Sequence, residues 1–314
     1  PDPMAAPTLR WGVLGPGWIA DRFVRALQRH TRQEVVAVGS RDLGRSTDFA
    51  EQFSIPTPLG SYEDVLARPD VDIVYVATPH PWHAELAIAA MQAGKHVLVE
   101  KPLATTAADA RRIAATAEAT GRYCCEALWT LFLPKWDALR QLVDGGAVGS
   151  VRSVTGEYGE FFTEPHRNFD PDLAGGPLLD LGIYPLAMIT SLVGAPAHIT
   201  ALGTAHPTGV TGQLATVMTH PGDVMSGFTT SLYGELRNEL RIVGSEGVLV
   251  VEPLHNSPGP LSLRSADGAV ELRHDESAGD HLDGLHFQAA EAARRIDAGH
   301  TESPTRTLSD SVIT

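Results

Sequence analysis

The sequence predicts an α/β protein of two domains, with a doubly wound parallel sheet in the first and a large, open, mostly antiparallel sheet in the second. In residues 1–127 apolar strands alternate with helices of 10 to 15 residues, which is typical of βαβ units. A glycine-rich turn joins the first strand to the first helix. After residue 151, β-branched and aromatic residues alternate between Gly-, Pro- and Asp-containing turns. We therefore expect an α/β domain at 1–127 and an α+β domain at 128–314.

Composition excludes several classes of protein. The chain has 314 residues, 43% of them hydrophobic, and a formal net charge of −14. This charge argues against nucleic acid and anionic membranes as partners. We see neither a signal peptide nor an apolar run near the roughly 20 residues of a transmembrane helix. The adjacent Cys124 and Cys125 form no disulfide framework and no metal site, so we expect two buried thiols, a cytoplasmic location and no bound metal.

The first turn has the pattern of a dinucleotide-binding site. A strand at Leu9–Leu14 runs into Gly15-Pro16-Gly17-Trp18-Ile19-Ala20, and a helix follows over Asp21–Arg29. In this G-x-G-x-x-A pattern the glycines allow a tight turn and the approach of a pyrophosphate, and the small Ala20 allows close helix–strand packing. A chance glycine turn is the alternative, which the strand–turn–helix context disfavours.

The end of the second strand indicates which cofactor binds. The strand Glu34–Gly39 is followed by Ser40-Arg41-Asp42. An acid near this point usually holds the ribose 2′-hydroxyl of NAD, whereas Arg41 suits the 2′-phosphate of NADP. We expect NADP, although Asp42 leaves NAD possible and Arg41 has the alternative of a solvated loop charge.

The rest of the first domain continues the alternation. We expect helices at Ser46–Phe53, Ser61–Ala67, Ala84–Ala93 and Thr106–Thr120, and strands at Val71–Ala77, Val97–Val99 and Tyr123–Glu126. Thr78, Pro79, His80 and His83 follow a strand end, where they can contact the nicotinamide half of a cofactor. For the two histidines, a helix cap or a water-facing position is an equal alternative.

The segment Glu100-Lys101-Pro102 is the first candidate for chemistry. It follows a core strand, and ligands of open α/β sheets bind at the carboxyl ends of the strands. Lysine is seldom buried without a partner. The alternative is a surface lysine in an ordinary strand-to-helix turn.

The second domain supplies the other candidates. After a helix at Lys135–Asp144 we expect a strand at Val151–Phe162, a helix at about Leu179–Val193, and strands at Ile199–Thr204, Leu214–Thr219, Val224–Leu232, Glu239–Val243, Val248–Val251, Leu261–Leu263 and Val270–Leu272. Asp180 and Tyr184 are four residues apart, so they share one face of a mostly apolar helix. A buried carboxylate and phenol need partners, and a lysine is the obvious one. Alternatively, Asp180 caps the helix and Tyr184 is a core aromatic.

These motifs together resemble the glucose–fructose oxidoreductase / inositol dehydrogenase (Gfo/Idh/MocA) family over essentially the whole chain. The resemblance is carried by the glycine turn, by Glu100-Lys101-Pro102 and by Gly175-Gly176-Pro177-Leu178-Leu179-Asp180-Leu181-Gly182-Ile183-Tyr184. Glu126-Ala127-Leu128-Trp129-Thr130 is similar to the branch of dimeric dihydrodiol dehydrogenases and NADP-dependent D-xylose dehydrogenases. Most of the wider family has histidine at the Tyr184 position, and this branch has tyrosine.

The resemblance implies a Rossmann fold in the first domain and hydride transfer at C4 of a nicotinamide. It implies Lys101 beside the substrate hydroxyl, Tyr184 as proton donor or acceptor with Asp180 nearby, and Trp129, Arg152 and Tyr158 in the substrate pocket. The cofactor-binding set is then Gly15, Gly17, Trp18, Ile19, Ala20, Ser40, Arg41, Thr78, Pro79, His80, His83, Glu100 and Lys101.

We expect the substrate to be a sugar (aldose) or a vicinal diol, and the protein to be a homodimer or tetramer. Two alternatives are a ketoreductase of a nucleotide-linked or cyclitol sugar, and a sugar- or cofactor-sensing regulator without turnover. Leu131 stands where the branch usually has arginine, which leaves the identity of the substrate open.

Overall fold

The structure, a computed structural model, describes residues 1–265, 267–275 and 284–314. The chain divides into two compact units. The first contains Pro1–Trp129 and a C-terminal segment that ends at Val312, and the second begins at Thr130. The predicted second domain, 128–314, is therefore too long, because the C-terminal segment belongs to the first unit.

The first unit is built on six parallel strands in the order β3-β2-β1-β4-β5-β6. They are β1 Arg10–Leu14, β2 Glu34–Gly39, β3 Thr57–Leu59, β4 Ile73–Val76, β5 His96–Glu100 and β6 Cys124–Ala127. The order confirms the predicted doubly wound sheet. The strand order reverses between β1 and β4, because β2 and β3 are added on one side of β1 and β4 to β6 on the other. In such folds ligands bind outside the carboxyl ends of the strands at this point.

Five helices join these strands: α1 Trp18–His30, α2 Leu43–Phe53, α3 Tyr62–Leu66, α4 His83–Gln92 and α5 Ala107–Thr120. Their ends follow from local side-chain chemistry. Ser61, where the sequence predicts that this helix begins, caps α3 by accepting from the Asp64 amide at 3.1 Å. Gly121 ends α5 in the left-handed conformation that glycine tolerates best.

The centre of this sheet is covered on both faces. Every residue of β4 and β6 is buried, and so are all of β5 except His96. Cys124 and Cys125 are both buried free thiols, as expected. Burial raises the pKa of Cys125 to about 12, so this thiol stays protonated and unreactive.

The second unit contains an eight-stranded sheet in the order β14-β13-β12-β11-β7-β10-β9-β8. The strands are β7 Val151–Gly159, β8 His198–Ala205, β9 Thr211–His220, β10 Val224–Ser231, β11 Leu240–Gly244, β12 Gly247–Val251, β13 Leu261–Ser265 and β14 Val270–His274. Only β7 and β10 pair in parallel. The prediction of a large, mostly antiparallel sheet is confirmed.

One face of this sheet packs on a helix. Helix α6 covers Pro134–Asp144, and α7 covers Ile183–Val193. At Gly156 of β7 an added Cβ would lie 3.0 Å from Pro185 of α7, so the glycine allows the close packing. By length and composition alone, Pro171–Val193 passes as a membrane-spanning helix, but 61% of its most apolar window is buried inside the structure. Buried core helices pass the same test, so the observation is weak evidence for a membrane span.

The C-terminal segment adds two helices to the first unit, α8 at His286–Asp297 and α9 at Leu308–Ile313. Helix α8 packs against α1 and β5. The side chains that it buries include four alanines, Ala289, Ala290, Ala292 and Ala293, whose small size permits a close approach. The segment belongs to the first unit and not to the second domain, because the alanine-rich face of α8 packs against α1 and β5.

Candidate active site

The glycine turn has the geometry that a pyrophosphate needs. Gly15 has a φ of +93°, and an added Cβ would lie 3.0 Å from the Ala77 carbonyl oxygen, so no other residue fits there without strain. At Gly17, the N-cap of α1, an added Cβ would meet nothing within 4 Å. Ala20 is fully buried, whereas Trp18 is 64% exposed and Ile19 half-buried. The helix N-terminus that follows, with its free amides and partial positive charge, suits an anion such as a pyrophosphate.

Two residues after β2, Ser40 and Asp42, hydrogen-bond to backbone amides of the turn that leads into α2. Asp42 caps α2 by accepting from the amides of Gly44 at 2.9 Å and Arg45 at 3.4 Å. Ser40 is buried and its Oγ accepts from the Asp42 amide at 3.2 Å. Since its carboxylate already caps a helix, Asp42 is a poor candidate for the ribose hydroxyl of NAD.

Two exposed arginines flank this turn. The Arg41 guanidinium lies 5.4 Å from the ring centroid of Trp82, and Arg45 Nη2 donates to the Pro16 carbonyl at 3.4 Å. Arg45 therefore places a second cation beside the glycine turn. Sequence reasoning missed both Arg45 and Trp82, although the spacing of four between Arg41 and Arg45 could have indicated a pair at the start of α2.

The expected contact of His83 with a cofactor is wrong. This side chain is completely buried, and its Nδ1 and Nε2 lie 2.8 Å from the carbonyl oxygens of Pro102 and Thr78. Burial lowers the pKa of His83, which favours the neutral ring, although the two carbonyl partners act in the opposite direction. His83 thus links the segments that follow β4 and β5 and contributes nothing to a ligand surface.

The other expected residues after β4 lie close by. Pro79 precedes a 3₁₀ turn at His80–Trp82, and Thr78 is buried at 7% exposure. The His80 ring lies 5.6 Å from the His83 ring and is also buried.

Lys101 is half-buried and follows β5 directly, and its peptide bond to Pro102 is cis. Its amide donates to Glu100 Oε2 at 3.2 Å. Glu100 is itself buried, and its Oε1 accepts a short hydrogen bond from the Tyr75 hydroxyl. Burial raises the pKa of Glu100 from 4.5 to about 7. Glu100 therefore binds the backbone of the lysine segment, and its predicted contact with a cofactor stays a prediction.

In the second unit, Asp180 lies on a π-helical turn at Leu178–Gly182 that precedes α7. The predicted helix over Leu179–Val193 thus begins with a π-helical turn and continues as α7, and π-helical turns are frequent at functional sites. Asp180 is buried and accepts from Arg167 Nη2 at 2.7 Å and from Asn168 Nδ2 at 2.9 Å. Sequence reasoning missed Arg167 and Asn168, because they precede Asp180 by more than ten residues in an irregular segment.

Tyr184 is buried beside Tyr158, with 5.6 Å between the ring centroids. The Tyr158 hydroxyl donates to Glu160 Oε1 at 2.9 Å and accepts from Asn256 Nδ2 at 3.0 Å. Burial raises the pKa of Tyr158, and the neighbouring Tyr184, Glu160 and Asp180 raise it further. Tyr158 therefore stays protonated. Tyr158 packs beside Tyr184, and Asp180 lies on the turn that leads into the helix of Tyr184, so we refer to these three side chains as one cluster.

Arg152 does not belong to this cluster. It precedes Tyr158 by six residues in the extended strand β7, so about 20 Å of backbone separates the two at roughly 3.3 Å per residue. The structure therefore does not bring Arg152 to Tyr158, and its predicted substrate contact stays a prediction. Trp129 is buried at the end of the first unit. In the part of the chain that the structure describes, no group of three His, Cys, Asp or Glu side chains is placed to hold a metal ion.

Comparison with known proteins agrees with this arrangement of motifs. Residues 9–127 match the model of the oxidoreductase family with an NAD-binding Rossmann fold, and residues 136–250 match the GFO/IDH/MocA C-terminal domain. The chain belongs to the GFO/IDH/MocA oxidoreductase family. It is therefore an oxidoreductase with an NAD-binding fold, as the resemblance implies.

Curated relatives include two mammalian enzymes named trans-1,2-dihydrobenzene-1,2-diol dehydrogenase. The Bos taurus enzyme is 36% identical over 312 residues, which cover 96% of this chain and 92% of the relative. The Homo sapiens enzyme is 33% identical over 309 residues, with the same coverage of 96% and 92%.

Solved structures show the same fold. KijD10, a 3-ketoreductase from Actinomadura kijaniata in complex with NADP and TDP-benzene, has a TM-score of 0.86 at 28% identity and covers 98% of this chain and 94% of its own. Levoglucosan dehydrogenase in complex with NADH and L-sorbose also has a TM-score of 0.86, covering 97% of this chain and 93% of its own, but at 20% identity it supports the fold alone.

Proposed function

We propose that this chain is an NADP(H)-dependent oxidoreductase that interconverts a hydroxyl and a carbonyl group of a sugar (aldose) or a vicinal diol. The observation that carries the proposal is the cluster around Tyr184. Tyr158 keeps its proton, because burial raises its pKa, and Asp180 is fixed by Arg167 and Asn168. Tyr184 is then the phenol of this cluster that we assign to proton transfer.

The preference for NADP rests on the loop after β2. Asp42 is engaged as a helix cap, whereas the exposed Arg41 and Arg45 can both reach an added anion. A guanidinium favours a phosphate, and a carboxylate opposes one. The glycine turn suits a pyrophosphate, because only glycine adopts the backbone conformation of Gly15 without strain and an added Cβ at Gly17 would meet no atom within 4 Å.

In the proposed reaction the bound nicotinamide supplies the hydride acceptor or donor at C4. Lys101 donates a hydrogen bond to the substrate oxygen, and Tyr184 takes the hydroxyl proton during oxidation or returns it during reduction. A phenol with its ordinary pKa near 10 is a poor base at neutral pH, and a nearby ammonium group lowers that value. We assign this second role to Lys101.

A panel of aldoses and vicinal diols tests the proposal, with nicotinamide absorbance as the readout and NADP compared with NAD. We expect turnover with at least one substrate and a lower KM for NADP. The Tyr184→Phe variant is the control for background reduction. An absence of turnover with every substrate, combined with measurable NADP binding, would instead favour a sensing protein.

A second candidate is a ketoreductase of a nucleotide-linked sugar. It is favoured by the similarity to the 3-ketoreductase solved with TDP-benzene and by Arg167, whose side chain is 43% exposed at the Asp180 cluster. An arginine in this position suits a diphosphate. TDP should then inhibit competitively against the sugar, and a lack of inhibition at saturating TDP would exclude this candidate.

We also propose a homodimer or tetramer formed through the second sheet. Leu202, Val217 and Met225 point away from α7 and are 78%, 55% and 51% exposed. Apolar side chains grouped on an open sheet face favour association. Light scattering should give at least twice the chain mass of 33.5 kDa, and Leu202→Asp should lower it. A wild-type monomer at micromolar concentration would contradict the proposal.

A further inference from the structure

A buried carboxylate holds the backbone just after Lys101. Glu126 lies in β6, and its Oε1 accepts from the Leu103 amide at 2.8 Å. Its Oε2 accepts from Arg306 Nε at 2.8 Å, from Arg306 Nη2 at 2.7 Å and from the Ser311 hydroxyl at 2.7 Å. Glu126 thus joins the lysine segment to Arg306 and Ser311, which lie 180 and 185 positions after Glu126 in the chain.

This ion pair is sealed from water. The side chains of Glu126 and Arg306 are each 1% exposed. A buried carboxylate keeps its charge only with a well-placed partner, and two nitrogens of Arg306 donate to the same oxygen, Oε2, of Glu126. The orientation of the Glu126 carboxylate, and with it the bond to Leu103, therefore depends on Arg306.

Pro102, the residue before Leu103, is held by a side chain from a different element, a helix. His83 of α4 lies 2.8 Å from the Pro102 carbonyl oxygen and, with its other nitrogen, 2.8 Å from the Thr78 carbonyl oxygen. Two consecutive residues after Lys101 are thus fixed by buried side chains from α4 and β6. Such a double attachment leaves little freedom to the backbone that carries the lysine.

We propose that Arg306 is a positioning residue for Lys101, acting through Glu126 and the Leu103 amide. The proposal rests on the proposed function in that Lys101 contacts the substrate oxygen. Displacement of a reacting group by about 1 Å can cost about 10²-fold in rate. The C-terminal segment then contributes to catalysis without containing a residue that contacts the substrate.

The test compares variants that break this connection in different ways. Arg306→Met leaves a buried charge without its partner and is at risk of unfolding. The double variant Glu126→Leu/Arg306→Met removes both charges and is expected to fold, while Leu103 loses its acceptor. Arg306→Lys keeps the charge but cannot supply both of the guanidinium donors that meet Glu126 Oε2. Arg295→Met is the matched control, because it breaks the 2.6 Å ion pair with Glu291 in the same segment without touching Glu126.

Amide hydrogen exchange at Leu103 and steady-state kinetics are measured for each folded variant. We expect the double variant to exchange Leu103 at least 10-fold faster and to lose 10- to 100-fold in kcat, with an unchanged Kd for NADP. Arg306→Lys should lie between it and the wild type in both quantities. The control should match the wild type in both.

Two results would overturn the proposal. One is wild-type exchange at Leu103 in the folded double variant, and the other is faster exchange with the same kcat as the control. If the wild-type protein turns over no sugar or diol, the proposed function fails, and exchange at Leu103 alone then decides whether Arg306 holds the lysine segment.

Discussion

The lysine and tyrosine regions are held in place by different means. Around Lys101 the buried side chains bind the backbone: Glu100 accepts from the Lys101 amide, and Glu126 accepts from the Leu103 amide. Around Tyr184 the contacts are between side chains, through the Tyr158 ring and the bonds of Asp180. Backbone attachment fixes a segment whatever its side chains are, whereas side-chain contacts change with each substitution. We infer that the lysine segment is held in one position, whereas the side chains around the reacting Tyr184 can vary with the substrate.

The largest expected effects come from removing the reacting groups. Lys101→Met and Tyr184→Phe should each lower kcat by about 10²–10⁴-fold, which is the usual contribution of a positioned proton-transfer group. The Kd for NADP should change little, because neither residue is assigned to the adenine half. Stopped-flow and steady-state assays measure the two quantities. A kcat for Tyr184→Phe close to that of the wild type would exclude the assigned role of the phenol.

Glu100, which binds the backbone of the lysine segment, should make the free energy of unfolding depend on pH. Burial raises the pKa of Glu100 from 4.5 to about 7, so between these values the native state binds more protons than the unfolded state. The free energy of unfolding therefore falls by about 3 kcal/mol as pH rises from 4.5 to 7, at about 1.4 kcal/mol per pH unit. Above pH 7 this contribution is constant. Glu100→Gln has no titratable group and therefore lacks this loss, and its single amide oxygen can accept from Tyr75 or from Lys101 but not from both.

Urea denaturation at pH 5 and pH 8 measures the difference. The free energy of unfolding of Glu100→Gln relative to the wild type should increase over this interval. A difference that is the same at both pH values would show that Glu100 is already charged at pH 5.

The cofactor loop contains no residue assigned to proton transfer, so substitutions there should change cofactor binding and not the chemical step. Arg41→Ala should weaken NADP binding by about 1.5–3 kcal/mol, the scale of a hydrogen bond to a charged group, and leave NAD binding nearly unchanged. Arg45→Ala is the companion variant and should act in the same direction. Isothermal titration with both cofactors provides the comparison, and equal losses for NADP and NAD would indicate that Arg41 has a structural role.

The smallest expected effect comes from Tyr158, and it tests whether this neighbour of Tyr184 affects substrate binding or the reaction itself. Tyr158→Phe removes a hydroxyl that bonds Glu160 and Asn256 and retains the ring against Tyr184. Losing such bonds is worth about 0.5–1.5 kcal/mol, so KM for the sugar should rise about 2- to 12-fold with little change in kcat. A fall of kcat to the level of Tyr184→Phe would instead make Tyr158 a reacting group.

Local patterns predict much of the fold and part of the site. The glycine turn, β2 and the Ser61 cap are specified by residues close in sequence, so they emerge directly from it. The three-residue strand β3 is too short for a period to show. The pairing of Glu126 with Arg306 joins positions 180 residues apart, and no local pattern encodes it. For His83, the sequence cannot distinguish a ligand-facing ring from a buried one, because its partners are backbone carbonyls brought together by the fold.

The central claim is that Lys101 and Tyr184 act as one unit on the same substrate oxygen, and a double-mutant cycle on kcat tests it most directly. Residues that act together are non-additive, so the double variant Lys101→Met/Tyr184→Phe should be within a few-fold of the slower single variant. Independent roles would instead multiply the two losses. A double variant slower than both singles by the full product of their effects would contradict the account.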